Sequence, residues 1–552
     1  MEEINYLQII LTFMGGLGLF LYGMNIMGEG LQKAAGNRLK KLLGVLTNNR
    51  FLGVLVGAAV AAIIQSSSAA TVMVVGFVNA ELMTLSQAIG VIMGANVGTT
   101  ITAWIVALGE WSKFLQPSTL APITIIIGVI MLFFSPKDKT RQYGGILFGF
   151  GALFLGLDMM GGAVQPLSTL PQFKTAFTQI GGNPILGILT GAVVTAIIQS
   201  SSASVGILQT LAAASLVPWN AAVYIIMGQN IGTCITAMLS AIGATKNGKR
   251  AAAIHLLFNV IGSIVFAIVA AVYFMGINVA AGNALITMTQ ISIVHTVFNL
   301  LNTIMLFPFA DKIIVLAEKI VSGKEPELEG ELEELVHLDN RILETPTFAI
   351  QNVIKEIVRM GELSSLNLKM AAEGLLEKDK EKLEEVYLRE KTINELQHGI
   401  NNYLVKITNT PISEQEHAMI TGLFHSVSDI ERVGDHADNI AELAEIGIDD
   451  GLEFSEVANG EIQEIVAAAG KSFQLAIEAC AANDAEIARE VLEAEKLVNE
   501  MEKTLRAKHI KRLTEEKCSS IAGITFLDLL SNLERVSDHA ANIAHTIIEL
   551  ES

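Results

Sequence analysis

Charge is scarce in the first 310 residues. They hold about 13 basic and 7 acidic residues, against about 24 and 49 in the rest of the chain. Between residues 51 and 111 the only charges are Glu81 and, at the boundary, Glu110. Between 175 and 245 there are none, and no histidine either. A site there cannot use Lys or Arg to hold an anion, and a serine nucleophile would lack a base. Cysteine is also rare. The three present, Cys234, Cys480 and Cys518, give no disulfide framework and no metal-ligand spacing. Glu2 and Glu3 stand where the basic start of a cleavable signal would be, so no signal peptide is expected. The net charge of −19 argues against a nucleic-acid partner.

What the chain has instead is apolar length. It is 51% hydrophobic and only 17% charged. Runs at about 5–27, 85–108, 119–135, 141–161, 219–243, 251–275 and 285–310 predict seven spanning helices. Segments 52–80 and 186–214 are also apolar, but Gln65-Ser66-Ser67-Ser68 and Gln199-Ser200-Ser201-Ser202 interrupt them. Irregular backbone is tolerated at membrane depth only inside protein or beside a cavity, so both read as re-entrant hairpins with serines at the tip.

The two hairpins belong to an internal repeat. Residues 57–103 align without gaps to 191–237 at an offset of 134. Ala-Ile-Ile-Gln-Ser-Ser-Ser-Ala occurs in both copies, and Asn96-Val97-Gly98-Thr99 answers Asn230-Ile231-Gly232-Thr233. Loops near Arg38, Lys40, Lys41 and Arg50, near Lys137, Lys139 and Arg141, and near Lys246, Lys249 and Arg250 are basic. The positive-inside rule puts these loops in the cytoplasm, the N-terminus outside and the region after the last span inside. Three spans between equivalent points make the repeats, about 10–135 and 144–310, inverted.

A site of hydroxyls, amides and backbone N–H can hold an anion if helix N-termini point at it. With no Lys or Arg nearby, cations must accompany a multivalent anion, and sodium suits Ser, Thr, Asn and Gln oxygens. Ser and Gly also enrich ordinary membrane helix contacts. The duplication of Gln-Ser-Ser-Ser, each copy followed by Asn-x-Gly-Thr, favours a site over that packing role. His255 with Asn259, and His295 with Asn299, share helix faces and read as hydrogen-bonded contacts between helices. Asp158 is alone in its span and reads equally as a cation ligand or an interfacial acid.

With these motifs, residues 10–310 resemble the type II sodium/phosphate cotransporter family. The resemblance implies phosphate held by Gln65, Ser66, Ser67, Ser68, Gln199, Ser200, Ser201 and Ser202. It implies sodium near Ser66, Ser68, Asn96, Thr99, Thr100, Ser200, Ser202, Asn230 and Thr233, in unwound segments beside the tips. Cys234 stands where the first copy has Thr100, which breaks the symmetry of the ion sites.

Segment 311–344 reads as linker, and 345–552 as six helices in two three-helix bundles. This half also repeats itself. Asp429-Ile430-Glu431-Arg432-Val433-Gly434-Asp435-His436 answers Asn532-Leu533-Glu534-Arg535-Val536-Ser537-Asp538-His539. Glu431 and Asp435 are four apart, as are Glu534 and Asp538, and Glu390 or Glu495 could join them from a second helix. From spacing alone a solvated acidic face is favoured over a metal site. The pattern resembles the PhoU family of phosphate regulators, which implies a divalent or ferric ion on Glu431, Asp435, Asp438, Glu534 and Asp538. Ala541 opposes Asp438, so the second cluster is expected to be smaller.

The expectation is therefore an all-α chain. It combines a polytopic membrane domain of inverted repeats with re-entrant hairpins and a cytoplasmic domain of helical bundles. It is expected to be a transporter and not an enzyme, in the inner cell membrane. Its expected partners are inorganic phosphate, sodium and lipid, with homo-oligomerisation open. Rival readings are transport of another oxyanion, or a membrane-anchored phosphate or metal sensor that transports little.

Overall fold

The computed structural model describes residues 5–44, 49–80, 82–112, 115–323, 335, 337–410, 412–515 and 518–551. Position 81 and, within the linker 311–344, residues 324–334 and 336 lie outside these, as do the side chains of Arg38, Lys40 and Lys41. The described residues are helical, in two units.

The first unit holds fifteen α-helices, in order α1 (Tyr6–Gly44), α2 (Arg50–Ile64), α3 (Ser67–Asn79), α4 (Leu85–Gly98), α5 (Thr100–Ala107), α6 (Pro117–Phe134), α7 (Asp138–Val164), α8 (Pro171–Gly182), α9 (Pro184–Ile198), α10 (Ser201–Ala213), α11 (Trp219–Ser240), α12 (Lys246–Ala271), α13 (Val279–Asn283), α14 (Met288–Leu306) and α15 (Ala310–Ile320). Among the described residues, eight helices are long and apolar enough to cross a membrane, and seven of them coincide with the expected spans. The eighth, Glu456–Ala482, lies in the second unit, packed among other helices of that unit, and its small alanines account for its apolar score. Large apolar side chains such as Ile126, Phe133, Phe134, Ile197 and Ile268 stand exposed on the first unit, a surface suited to lipid.

The offset-134 repeat is visible in the backbone. Helices α2 and α9 both have 15 residues, and α3 and α10 both have 13. Asn49 and Asn183 cap α2 and α9 by accepting two backbone N–H bonds each. The segment 162–185, which falls between the runs expected to enter the membrane, contains α8. Its Phe173, Phe177 and Ile180 fall on one face and pack on the core formed by α10 and α11, which explains why a helix forms there.

Within each repeat, small residues let backbones touch. A Cβ at Gly94 would lie 2.0 Å from the Val54 carbonyl oxygen, and one at the equivalent Gly228 would lie 1.9 Å from that of Ile188. No side chain fits, so α4 seats directly on α2, and α11 on α9.

The second unit contains α16 (Pro346–Glu377), α17 (Lys380–Thr408), α18 (Glu414–Asp449), α19 (Glu456–Ala482), α20 (Ala485–Thr514) and α21 (Ser520–Glu551). Helices α16–α18 pack on one another, as do α19–α21, and α18 meets α21 across the junction. His436 Nδ1 bonds Asn532 Oδ1 at 2.8 Å, and His539 Nδ1 bonds Asp429 Oδ1 at 2.8 Å. Each histidine thus reaches into the other repeat. The imidazoles, 5.6 Å apart, join the two bundles.

Gly94→Ala or Gly228→Ala should cost about 1–3 kcal/mol of stability through overpacking. Gly145→Ala, which meets nothing within 4 Å, should be neutral. Thermal unfolding in detergent measures this, and equal midpoints for all three would refute the close-packing account.

Candidate functional site

The apolar run of α2 ends because Gln65 takes left-handed φ/ψ of 58° and 22°, and its N–H closes the helix on Ala61. Ser66 is extended at φ −145°, and its hydroxyl accepts from Ala69 N–H at 3.1 Å, starting α3. The second copy repeats this. Gln199 has φ 58° and ψ 21°, Ser200 has φ −139°, and its hydroxyl accepts from Ala203 N–H at 3.2 Å. Each Gln-Ser-Ser-Ser cluster therefore ends one helix and caps the next.

The two tips meet. Ser67 Oγ lies 3.3 Å from Ser201 Oγ, so the N-termini of α3 and α10 are brought together. A second path crosses the repeats. Thr102 donates to Gln65 Oε1 at 3.1 Å and accepts from Ser202 Oγ at 3.4 Å. Gln65, Ser67, Ser68, Thr102, Ser201 and Ser202 are all buried. Ser66 and Ser200 are half-buried, and Gln199 is exposed. Thr102 was not among the expected site residues. Its one sequence signal is that it recurs as Thr236 at the same offset.

The candidate sodium ligands outside the tips, Asn96, Thr99, Thr100, Asn230 and Thr233, are buried. Asn96 and Asn230 each donate to the carbonyl four residues back at 2.8 Å. Thr100 and Thr233 bond to Val97 and Gln229 carbonyls at 2.8 and 2.9 Å. These residues are not in unwound segments, as was expected. Helix α11 runs unbroken through Asn230 and Thr233, because those side chains bond to its own carbonyls. The first copy is interrupted only at Thr99, whose buried hydroxyl has no hydrogen-bond partner.

His255 and His295 are buried, and among the described residues neither ring bonds to another helix as expected, although the His255 carbonyl accepts from Cys234 Sγ of α11 at 3.5 Å. Both His255 ring nitrogens and His295 Nδ1 lack partners, while Asn259 and Asn299 donate to the His255 and His295 carbonyls of their own helices. Asn259 also reaches Cys234 Sγ at 3.4 Å. Asp158 is exposed on α7.

In the second unit, among the described residues, no group of three or more His, Cys, Asp or Glu side chains closes to hold a metal. Glu431, Asp435 and Asp438 lie on α18, and Glu534 and Asp538 on α21. Arg432 reaches Asp435 at 3.0 Å and Glu431 at 3.8 Å, drawing those carboxylates along the helix surface. Burial raises the pKa of Glu431, Asp438, Glu534 and Asp538. Glu390 of α17 is the group under most stress. Its carboxylate is buried against Gly434, neither oxygen has a partner, and burial plus Asp435, Asp438 and Glu431 push its pKa up to about 8. With no donor beside it, the carboxylate is stabilised by taking up a proton.

The Na+/Pi-cotransporter family description matches residues 19–162 and again 165–302, over half the chain. The chain belongs to the Na+/Pi-cotransporter family. A PhoU domain description matches 357–444 and 462–547, so this member carries a C-terminal PhoU-like domain. The chain is 26% identical over 548 residues, 98% of its length and 97% of the relative's, to YjbB of Escherichia coli (strain K12), which carries a provisional name as an inorganic phosphate export protein. It is 36% identical over 110 residues, 19% of this chain and 16% of the relative, to the human Sodium-dependent phosphate transport protein 2B. It is 28% identical over 199 residues, 36% of this chain and 84% of the relative, to Phosphate-specific transport system accessory protein PhoU homolog 1 of Thermotoga maritima.

Glu390 generates a pH prediction. The folded protein keeps a proton that the unfolded chain has lost between about pH 4.5 and about pH 8, so stability falls as pH rises through that window and is flat above it. Calorimetry of the full chain should show the PhoU-like transition falling by about 5 °C over that range. Glu390→Gln should flatten the dependence. An unchanged slope in that variant would remove Glu390 as its source.

Proposed function

We propose that this member of the family moves inorganic phosphate together with sodium by alternating access, with the PhoU-like domain acting as a cytoplasmic regulator. The observation that carries the reading is the contact of two helix N-termini at Ser67 and Ser201, in a neighbourhood without Lys or Arg. Converging N–H groups and helix dipoles favour an anion. Phosphate at neutral pH brings more than one negative charge into a site without countercharge, which favours cations entering with it.

Gln65, Ser66, Ser67, Ser68, Gln199, Ser200, Ser201 and Ser202 are the proposed phosphate ligands, joined now by Thr102. The sodium ligands proposed are Ser66, Ser68, Asn96, Thr99, Thr100, Ser200, Ser202, Asn230 and Thr233. Helices α2 and α3, at 15 and 13 residues, are each too short for a hydrocarbon core of about 30 Å at about 1.5 Å per residue. That length supports re-entrant hairpins, and the odd number of spans between them supports inversion. The basic loops support an N-terminus outside and the PhoU-like domain inside the cytoplasmic membrane.

In the PhoU-like domain the likeness to PhoU proteins supports a divalent or ferric cation on Glu431, Asp435 and Asp438, which would have to draw together to hold it. Glu534 and Asp538 form a weaker second candidate.

The name of the full-length Escherichia coli relative favours a second reading, net export. One machine serves both readings, since the opposed sodium and phosphate gradients set direction in a coupled carrier.

Proteoliposomes test this. Labelled phosphate should follow an imposed sodium gradient in either orientation. Thr102→Val leaves buried Gln65 Oε1 without a partner, and with Ser201→Ala it should cut flux about 10- to 100-fold. Glu431→Ala should transport normally. Flux indifferent to replacing sodium with potassium would end the coupling proposal. Sulfate carried in place of phosphate would end the substrate assignment.

A further inference from the structure

The segment Asp339–Thr345 belongs with the first unit, although it immediately precedes α16 of the second. Its docking is built from side chains. Asp339 caps a short helical turn, 340–344, by accepting from Arg341 N–H at 2.8 Å. Asn79, the last residue of α3, donates to Asp339 Oδ2 at 2.7 Å and accepts from Thr245 N–H at the start of α12, also at 2.7 Å. The Arg341 guanidinium holds Asp339 and reaches the Ser240 and Ile242 carbonyls, closing the C-terminal end of α11. Ile342 is wholly buried, and a Cβ on Gly76 of α3 would come within 2.9 Å of its Cγ1. Arg250 of α12 separately ties the Val321 and Gly323 carbonyls, so the connecting chain is anchored where it leaves this unit as well as where it returns.

The dock exists in only one repeat. At the 134-residue offset Gly76 becomes Thr210 and Asn79 becomes Ala213. A β-branched threonine would occupy the space of Ile342, and alanine cannot bond Asp339. The repeats match closely at their serine tips, yet differ at the far ends of α3 and α10, where only α3 carries a seat.

We propose that Asp339–Thr345 is a clasp that ties α3 of the first hairpin to α11 and α12, and through which the PhoU-like domain, covalently joined at Pro346, restrains movement of the hairpin. The proposal rests on the transport reading above for its consequence, but the clasp itself can be read without phosphate. Release frees α3, raises exposure of the serine tip and speeds turnover.

The test uses the full chain in liposomes, with Cys234→Thr, Cys480→Ala, Cys518→Ser and a single reporter, Ser66→Cys, labelled by a maleimide. Arg341→Ala and Gly76→Thr should each speed labelling about tenfold, the change expected from losing about 1.4 kcal/mol of charge-assisted bonding or its equivalent in packing. Asn79→Ala combined with Arg341→Ala should add little to either alone, since both act through one clasp. Arg341→Lys should restore part of the restraint. In proteins that keep Ser66, Arg341→Ala should raise phosphate flux. Unchanged labelling in Arg341→Ala overturns the proposal, and that variant decides alone if Gly76→Thr fails to fold. Fully additive effects of Asn79→Ala and Arg341→Ala also overturn it. If the parent protein moves no phosphate while the labelling shift persists, the transport reading fails and the clasp stands.

Discussion

The contact between Ser67 and Ser201 requires two helices to begin in the interior of the protein. A helix start leaves four N–H groups unpaired, and burying them without partners is costly. Ser66 and Ser200 each satisfy one such group, which leaves others at both ends directed toward the same neutral place. Everything around the tips serves this arrangement. Left-handed Gln65 and Gln199 stop the preceding helices without a glycine. The close seating of α4 on α2 and α11 on α9 fixes the hairpins from behind. On the proposed reading, the charge desert noted in the sequence leaves this place free for an anion and the cations that accompany it.

Much of this could be read from residues because the signals were local. Seven apolar runs became helices in place, and the Gln-Ser-Ser-Ser interruptions became helix breaks, since Ser caps and a missing apolar residue both act within one turn. Where reading failed, the cause was distance or concealment. Thr102 bonds residues 37 and 100 positions away, which no local pattern encodes. Asn230 and Thr233 looked like marks of an unwound segment, but a polar side chain that bonds its own helix carbonyl leaves the helix intact. Pro171, Pro184 and two glycines concealed α8, although Phe173, Phe177 and Ile180 had helical spacing. In the PhoU-like domain the acidic residues drew attention, while His436 and His539 perform the reciprocal joining of the bundles.

Polar groups buried without partners mark where the protein has left bonding capacity open. In the membrane unit these include Thr99, Thr236, His255 and His295. In the PhoU-like unit the sharpest case is Glu390. The two units resolve the matter differently. Glu390 can take up a proton and become a donor, at the expense of pH-dependent stability. The hydroxyls and amides of the membrane unit cannot titrate near neutral pH.

The two copies of the serine motif share sequence and backbone angles, yet their tips differ in bonding. Gln65 is buried and bonded to Thr102, whereas Gln199 is exposed, and half-buried Thr236, the counterpart of Thr102, has a hydroxyl without a hydrogen-bond partner. Local sequence cannot be the cause, because Ala-Ile-Ile-Gln-Ser-Ser-Ser-Ala is the same in both. The difference must come from what surrounds each tip. It follows that the motif itself is compatible with a closed, bonded arrangement and with an open one, and that packing elsewhere selects between them. A difference of one or two hydrogen bonds corresponds to about 1–3 kcal/mol, small enough for modest forces to reverse. The same residues can therefore adopt either arrangement.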